Sequence, residues 1–133
     1  MLNEYQDMIN HGLNTVDDLV LKRVKNSIQL CGERKYPILT IGNGGSAAIA
    51  DHWSCDHTKG VRDDADIFSS VTCLSSNMSL MTAIANDIGY ADVFSKQIEW
   101  HQAEYALVLA VTSSGSSPNI IKGLRAARDK NYG

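Results

Sequence analysis

Thr112, Ser113, Ser114, Ser116 and Ser117 crowd five hydroxyls into six residues around Gly115. Pro118 follows, with the fixed φ that suits a first helical turn, and Ser117 before it suits an N-cap. Free backbone N–H groups and the positive end of a helix dipole are expected to meet these hydroxyls. Such a turn can hold a phosphate without a lysine. Read alone, it is equally a Ser-rich turn with a good cap. A second loop of similar design is Gly42-Asn43-Gly44-Gly45-Ser46, where Ser46 is the expected N-cap.

Each loop needs a strand before it and a helix after it. Tyr105 to Val111 is an apolar run that reads as a buried strand, and Ile120, Ile121, Leu124 and Ala127 have the spacing of one helix face. Pro37 to Ile41 is the expected first strand, and a helical pattern runs from Ala47 to about Lys59. Gly60 to Asp66 reads as loop. Ser70 to Ser75 is the expected second strand, with Ser76 or Asn77 capping a helix to about Ala85. Asn86 to Tyr90 reads as a turn. A further helix is expected from Ala91 to His101, with Val93, Phe94, Ile98 and Trp100 inward. Three strand–helix alternations predict an α/β fold, a parallel sheet with helices on both faces. In such sheets ligands bind beyond the carboxyl ends of the strands, where both loops would lie. Three strands are few for this class, so a sheet truncated at its C-terminal side is expected, with Gly133 as the C′ residue of the last helix.

Ahead of the first strand, Tyr5, Met8, Ile9, Leu13, Val16, Leu19, Val20, Val24 and Ile28 recur at helical intervals. Gly12 and Thr15-Val16-Asp17-Asp18 are expected to divide this run into two helices. Its apolar face exceeds what a small sheet can cover, which points to a partner subunit. The chain is thus read as one domain, a helical part over 1–35 and a ligand-binding part over 36–133.

Composition narrows the classes. Hydrophobic residues make up 44% and the net charge is −3, giving no electrostatic case for nucleic acid or an anionic membrane. No apolar run approaches the roughly 18 residues of a spanning helix. Residues 1–7 lack the basic and apolar regions of a secretion signal. Cys31, Cys55 and Cys73 show no CxxC spacing and read as reduced, mostly buried thiols of a cytoplasmic protein.

Three motifs carry a resemblance to a known family. They are Gly42-Asn43-Gly44-Gly45-Ser46-Ala47 leading to His52, Asn86-Asp87-Ile88-Gly89-Tyr90 with Val93-Phe94-Ser95-Lys96-Gln97, and Thr112 to Asn119. In this order the chain resembles the sugar isomerase (SIS) domain family, and within it the phosphoheptose isomerases. The resemblance implies a flavodoxin-like fold, usually a homotetramer with active sites between subunits. It implies that Ser113, Ser114 and Ser117 hold the substrate phosphate, and that Asn43, Gly44, Ser46 and Asp87 line the sugar site. It places His52 on the family's histidine. The family's glutamate four residues later is Asp56 here, a departure. A second histidine and a glutamine come, in the family, from a later segment that this sequence does not contain. Some members bind zinc through these four side chains; His52 and Asp56 alone are two ligands, so no metal site is assigned here.

Aldose–ketose conversion moves a proton between two carbons through an enediol, with one group acting at carbon and one at oxygen. His52 and Asp56, four apart, share a helix face. Under this resemblance Asp56 is the base at carbon, one methylene shorter than the family's glutamate. His57 reads as a solvent-side neighbour, and Trp53 and Ile49 as core or interface. Lys122, Arg125, Arg128 and Lys130 read as a solvated helix face that suits the dipole. Two functions are expected. One is an isomerase of sedoheptulose 7-phosphate for surface-polysaccharide heptose. The other is a non-catalytic sugar-phosphate-binding or adaptor module. The phosphate loops serve both, whereas proton transfer needs groups beyond residue 133, so the 133-residue chain is expected to bind a sugar phosphate and turn it over slowly or not at all.

Overall fold

The computed structural model describes residues 1–65 and 70–133. Asp66, the end of the expected loop, lies outside the described residues. Helix α1 (Leu2–Asn14) and helix α2 (Asp18–Arg34) are separated where the capping sequence predicts, with the Asp17 carboxylate accepting from Leu19 N at 2.7 Å. Strand β1 is Ile38–Gly42, followed by α3 (Gly45–Asp56), a π-helical turn (His57–Val61) and α4 (Arg62–Ala65). Strand β2 (Val71–Cys73) leads to α5 (Met78–Asp87), a 3-10 turn (Tyr90–Asp92) and α6 (Val93–Trp100). Strand β3 (Leu107–Val111) and α7 (Pro118–Asp129) follow.

The three strands are parallel, in the order β2-β1-β3. β1 is buried along its whole length, as a central parallel strand must be. Its alternate side chains divide the core. Leu39 and Ile41 pack with Phe94 and Ile98 of α6, Ile120 and Ala127 of α7, and Ile84 of α5. Ile38 packs on the other face with Cys31 of α2, Val71 and Leu107, beside Trp53 of α3. Thr40, also buried, donates to Ala50 O of α3 at 3.2 Å. The sheet is thus covered on both faces, as the alternation of elements predicts. The chain leaves β1 for β2 on one side and reaches β3 on the other. The switch point therefore lies between the carboxyl ends of β1 and β3.

Several boundaries differ from the sequence reading, each for a local reason. The N-cap of α3 is Gly44, not Ser46; Ser46 is already in the helix, its N–H on Asn43 O at 3.0 Å. Gly60 does not end the helical segment, which widens into the π turn and continues as α4. Asp87 is the last residue of α5, because Ile88 N and Gly89 N both bond to Ile84 O at 2.9 Å and confine the turn to two residues. Trp100 is half exposed: two residues past buried Ile98 it stands about 200° around the helix. Leu124 is also exposed, because Gly123 is the residue beneath α6. A Cβ there would come within 3.1 Å of Phe94 and 3.2 Å of Ile41, so α7 buries Asn119, Ile120, Gly123, Ala126 and Ala127 instead. Gly133 is not the helix C′ residue. Left-handed Asn131 (φ 57°) ends the helix, and Gly133 exchanges bonds with Ala106 O (3.0 Å) and Val108 N (2.9 Å), in parallel register on β3.

Candidate functional site

Asn43 follows β1 directly and Thr112 follows β3, so both loops open at the switch point. Gly42 makes the first loop possible by close approach. A Cβ on it would lie 2.6 Å from Ser46 O and 2.9 Å from Ala47 N, both backbone atoms. Ser75, just after β2, braces the same residue, donating to Gly42 O at 2.9 Å and accepting from Gly42 N at 3.3 Å.

The Asn43 side chain reaches across the switch point. Its Nδ2 donates to Asn119 Oδ1 at 2.9 Å, and its Oδ1 accepts from Asn119 Nδ2 at 2.8 Å and from the Tyr90 hydroxyl at 3.1 Å. Asn119, in the first turn of α7, is buried. Its Oδ1 also accepts from Ile120 N at 3.0 Å. Asn119 and Tyr90 stand in the motifs read from the sequence, but their pairing with Asn43 is visible only in the fold. The available signal was an Asn immediately after an N1 proline, where a side-chain acceptor serves early helical N–H groups.

The serine loop differs in detail from the expectation of free backbone donors. Gly115 N donates to Thr112 Oγ1 at 3.2 Å and Ser116 N to Ser114 Oγ at 3.3 Å. Gly115 adopts φ 64°, a conformation that glycine enters without strain. A hydroxyl that accepts from N–H still has its own proton to donate. The loop therefore presents hydroxyl protons in place of those backbone donors. Ser117 is the N-cap of α7, as expected, and its side chain makes no cap bond, leaving it available to a ligand. Ser113, Ser114 and Ser116 are exposed.

His52 and Asp56 lie one turn apart on α3, Nε2 to Oδ2 3.5 Å, with side chains 78% and 64% exposed. They line an open groove with Ala48, Ile49 and Trp53. Ile49 therefore shares their groove, and Trp53 bridges it to the core. No residue of the serine loop lines this groove, so within one chain the His52–Asp56 pair and the serine loop remain separate features. Asp87 accepts from its neighbour Asn86 at 2.7 Å, a bond to neither ligand loop.

His57 is buried, not solvent-facing. Its ring lies 4.4 Å from that of Trp53, and burial pushes its pKa below the ordinary 6.5. Lys122 is not a merely solvated charge: its ammonium lies 2.9 Å from both oxygens of Asp92. That bond holds the Asp92 carboxyl below its ordinary range and pins the Tyr90–Asp92 turn to α7. Lys130 likewise donates to the backbone oxygens of Glu99 (3.1 Å) and His101 (2.8 Å). Cys31 and Cys73 are buried, Cys55 is exposed, and all three are free thiols. Among the described residues no group of three or more His, Cys, Asp or Glu side chains is gathered to hold a metal ion.

These features define an open, parallel α/β domain whose glycine and serine loops open at its switch point. The family model described as the SIS domain matches residues 4–133, and the chain belongs to that family. It is 40% identical over 97 residues to the phosphoheptose isomerase of Coxiella burnetii (strain Dugway 5J108-111), covering 73% of this chain and 48% of that protein. It is 30% identical over 125 residues to that of Helicobacter pylori (strain P12), covering 94% and 64%. The solved phosphoheptose isomerase of Neisseria gonorrhoeae superposes with a TM-score of 0.76 at 29% identity, over 98% of this chain and 68% of that one. The one from Francisella tularensis superposes with a TM-score of 0.82 at 24% identity, a likeness of fold. The chain spans about half the length of the first two curated relatives it matches, 48% in each case.

Proposed function

We propose that the protein is an aldose–ketose isomerase of sugar phosphates, interconverting sedoheptulose 7-phosphate and a heptose 7-phosphate for surface-polysaccharide synthesis. The observation that carries this is the Asn43–Asn119 clamp, which joins the glycine loop to the serine loop at the switch point. The relatives' name, phosphoheptose isomerase, supports this substrate class. Ser113, Ser114 and Ser117 take the phosphate through hydroxyl protons, and Asn43, Gly44, Ser46 and Asp87 face the sugar. Asp56 takes the proton from carbon and His52 serves the oxygen, passing the substrate through an enediol. The exposure of His52 and Asp56 favours a second reading, a sugar-phosphate-binding or adaptor module without turnover.

One experiment separates these. Replacing Ser114 and Ser117 together by Ala should weaken sedoheptulose 7-phosphate binding by about 1–3 kcal/mol through lost charge-assisted bonds. Unchanged affinity by calorimetry would remove both readings. Turnover of sedoheptulose 7-phosphate by the unsubstituted protein in an isomerase assay would select the first.

We also infer a cytoplasmic homo-oligomer, a tetramer as in the family resemblance. Three free thiols support the compartment. Association is supported by α1, which has no buried residue while Leu2, Tyr5, Met8 and Leu13 are 64–83% exposed. Light scattering that finds a stable monomer would contradict this. No described helix is long and apolar enough to cross a membrane. Nucleic acid is not among the proposed partners.

A further inference from the structure

We propose that Tyr90 is a specificity residue, whose phenol oxygen accepts a hydrogen bond from a hydroxyl of the bound sugar phosphate. The inference rests on the sugar-phosphate reading above and adds a residue and a direction of hydrogen bonding to it.

The direction follows from a chain of obligatory choices. A backbone N–H can only donate, so the side-chain atom of Asn119 that meets Ile120 N at 3.0 Å must be its oxygen. That settles which end of the Asn119 amide is which. Its nitrogen then faces Asn43 at 2.8 Å and must meet an oxygen there. The Asn43 amide is thereby oriented too, with its own nitrogen on Asn119 Oδ1 at 2.9 Å. The Tyr90 hydroxyl lies 3.1 Å from Asn43 Oδ1, which is an acceptor only. Tyr90 must donate its single proton to it. One backbone proton thus dictates, through two amides, the polarity of a phenol three elements away.

What remains at Tyr90 is an oxygen that can accept but has no proton to give. Beside it, Asn43 Nδ2 keeps a second N–H beyond the one spent on Asn119. Tyr90 is 58% exposed, so this oxygen is open to a ligand. The Lys122–Asp92 pair ties its turn to α7, and its own bond ties it to Asn43 of the glycine loop. The phosphate monoester end of a sugar phosphate, as the dianion, brings acceptors only and finds no proton to accept at Tyr90. A sugar hydroxyl both donates and accepts, and matches the phenol oxygen and the Asn43 N–H together. The serine hydroxyls have the opposite polarity, with protons to donate to phosphate. The two sides of the switch point therefore sort the two ends of a sugar phosphate.

The test is Tyr90→Phe, which removes only the oxygen and leaves the Asn43–Asn119 clamp held by Ile120 N. Calorimetry is run with sedoheptulose 7-phosphate and, separately, with inorganic phosphate, and thermal melting confirms that the variant folds as the parent does. The expected result is a loss of about three- to tenfold in affinity for the sugar phosphate, the worth of one neutral hydrogen bond, with phosphate binding unchanged. Equal affinity of variant and parent for the sugar phosphate overturns the proposal and leaves the sugar-phosphate reading standing. Equal weakening of both ligands also overturns it, since Tyr90 would then act through the shape of the loops. A parent protein that binds phosphate but no sugar phosphate overturns the underlying reading and this inference with it.

Discussion

Asn43 and Asn119, 76 residues apart in sequence, exchange two amide hydrogen bonds of 2.9 and 2.8 Å across the switch point. The pair joins the loop after β1 to the first turn of α7. Asn119 is 2% exposed, so water cannot replace a partner that is taken away. Replacing Asn119 by Leu leaves the Asn43 amide and Ile120 N without their side-chain partner. We expect a loss of about 1–3 kcal/mol in stability, read as a lower urea midpoint at unchanged slope. A loss below about 0.5 kcal/mol would mean that the clamp does not hold the loops.

Gly42 and Gly45 make a matched pair for a second test. A Cβ at Gly42 meets the backbone of Ser46 and Ala47 at 2.6–2.9 Å, whereas one at Gly45 meets nothing within 4 Å. Gly42→Ala should therefore destabilise by about 1–3 kcal/mol, because backbone cannot move aside as a flexible side chain can. Gly45→Ala, inside α3, should be neutral or stabilising by up to about 1 kcal/mol. Chemical denaturation of the two variants side by side checks the order, and the reverse order would contradict the loop geometry.

The features that sequence made legible are those carried by local pattern. Pro118 and Ser117 announced the start of α7, and the apolar runs at 38–41 and 107–111 announced two strands. The break at Asp17 was legible because one side chain caps its own helix. The misplaced features depend on partners far away in the chain. Leu124 has the right spacing for the core, but Gly123 lets α6 come so close that the buried face turns away from it. Lys122 looks like a dipole-matching charge until Asp92, 30 residues earlier, is placed beside it. His57 looks like a surface residue in sequence because nothing in its neighbourhood announces a π turn or a stack on Trp53. The role of Asn119 likewise appears only when β1 and β3 lie side by side.

His57 gives the pH prediction. Burial lowers its folded pKa below the ordinary 6.5, so the folded state favours the neutral ring. The unfolded chain then binds more protons wherever the pH lies between the two values. Stability is therefore fully present above about pH 6.5 and declines as the pH falls towards the lowered folded value. His57→Phe keeps an aromatic ring against Trp53 and removes the titration. Its melting temperature should fall less than that of the parent between pH 7.5 and 5.5. Parallel curves would show that His57 carries no such linkage.

The last prediction separates binding from chemistry at Asp56. Its carboxylate sits 3.5 Å from His52 on an open face of α3, while the clamp and the serine hydroxyls stand at the ends of β1 and β3. In the isomerase reading the two sets do different work. The loops bind substrate and transition state alike, and such uniform binding does not lower the chemical barrier. Asp56 acts only when a proton leaves carbon. Asp56→Asn keeps size and hydrogen-bonding capacity but removes the base, so kcat should fall by about 10²–10⁴-fold while sedoheptulose 7-phosphate affinity changes little. Asp56→Glu restores the longer carboxylate of the family motif. It should retain turnover, since a shift of about 1 Å in a catalytic group changes rate and not chemistry. The Ser114 and Ser117 double variant should show the opposite pattern, with binding lost first. Turnover undiminished in Asp56→Asn would strip Asp56 of its role and pass the proton transfer to a group from another subunit.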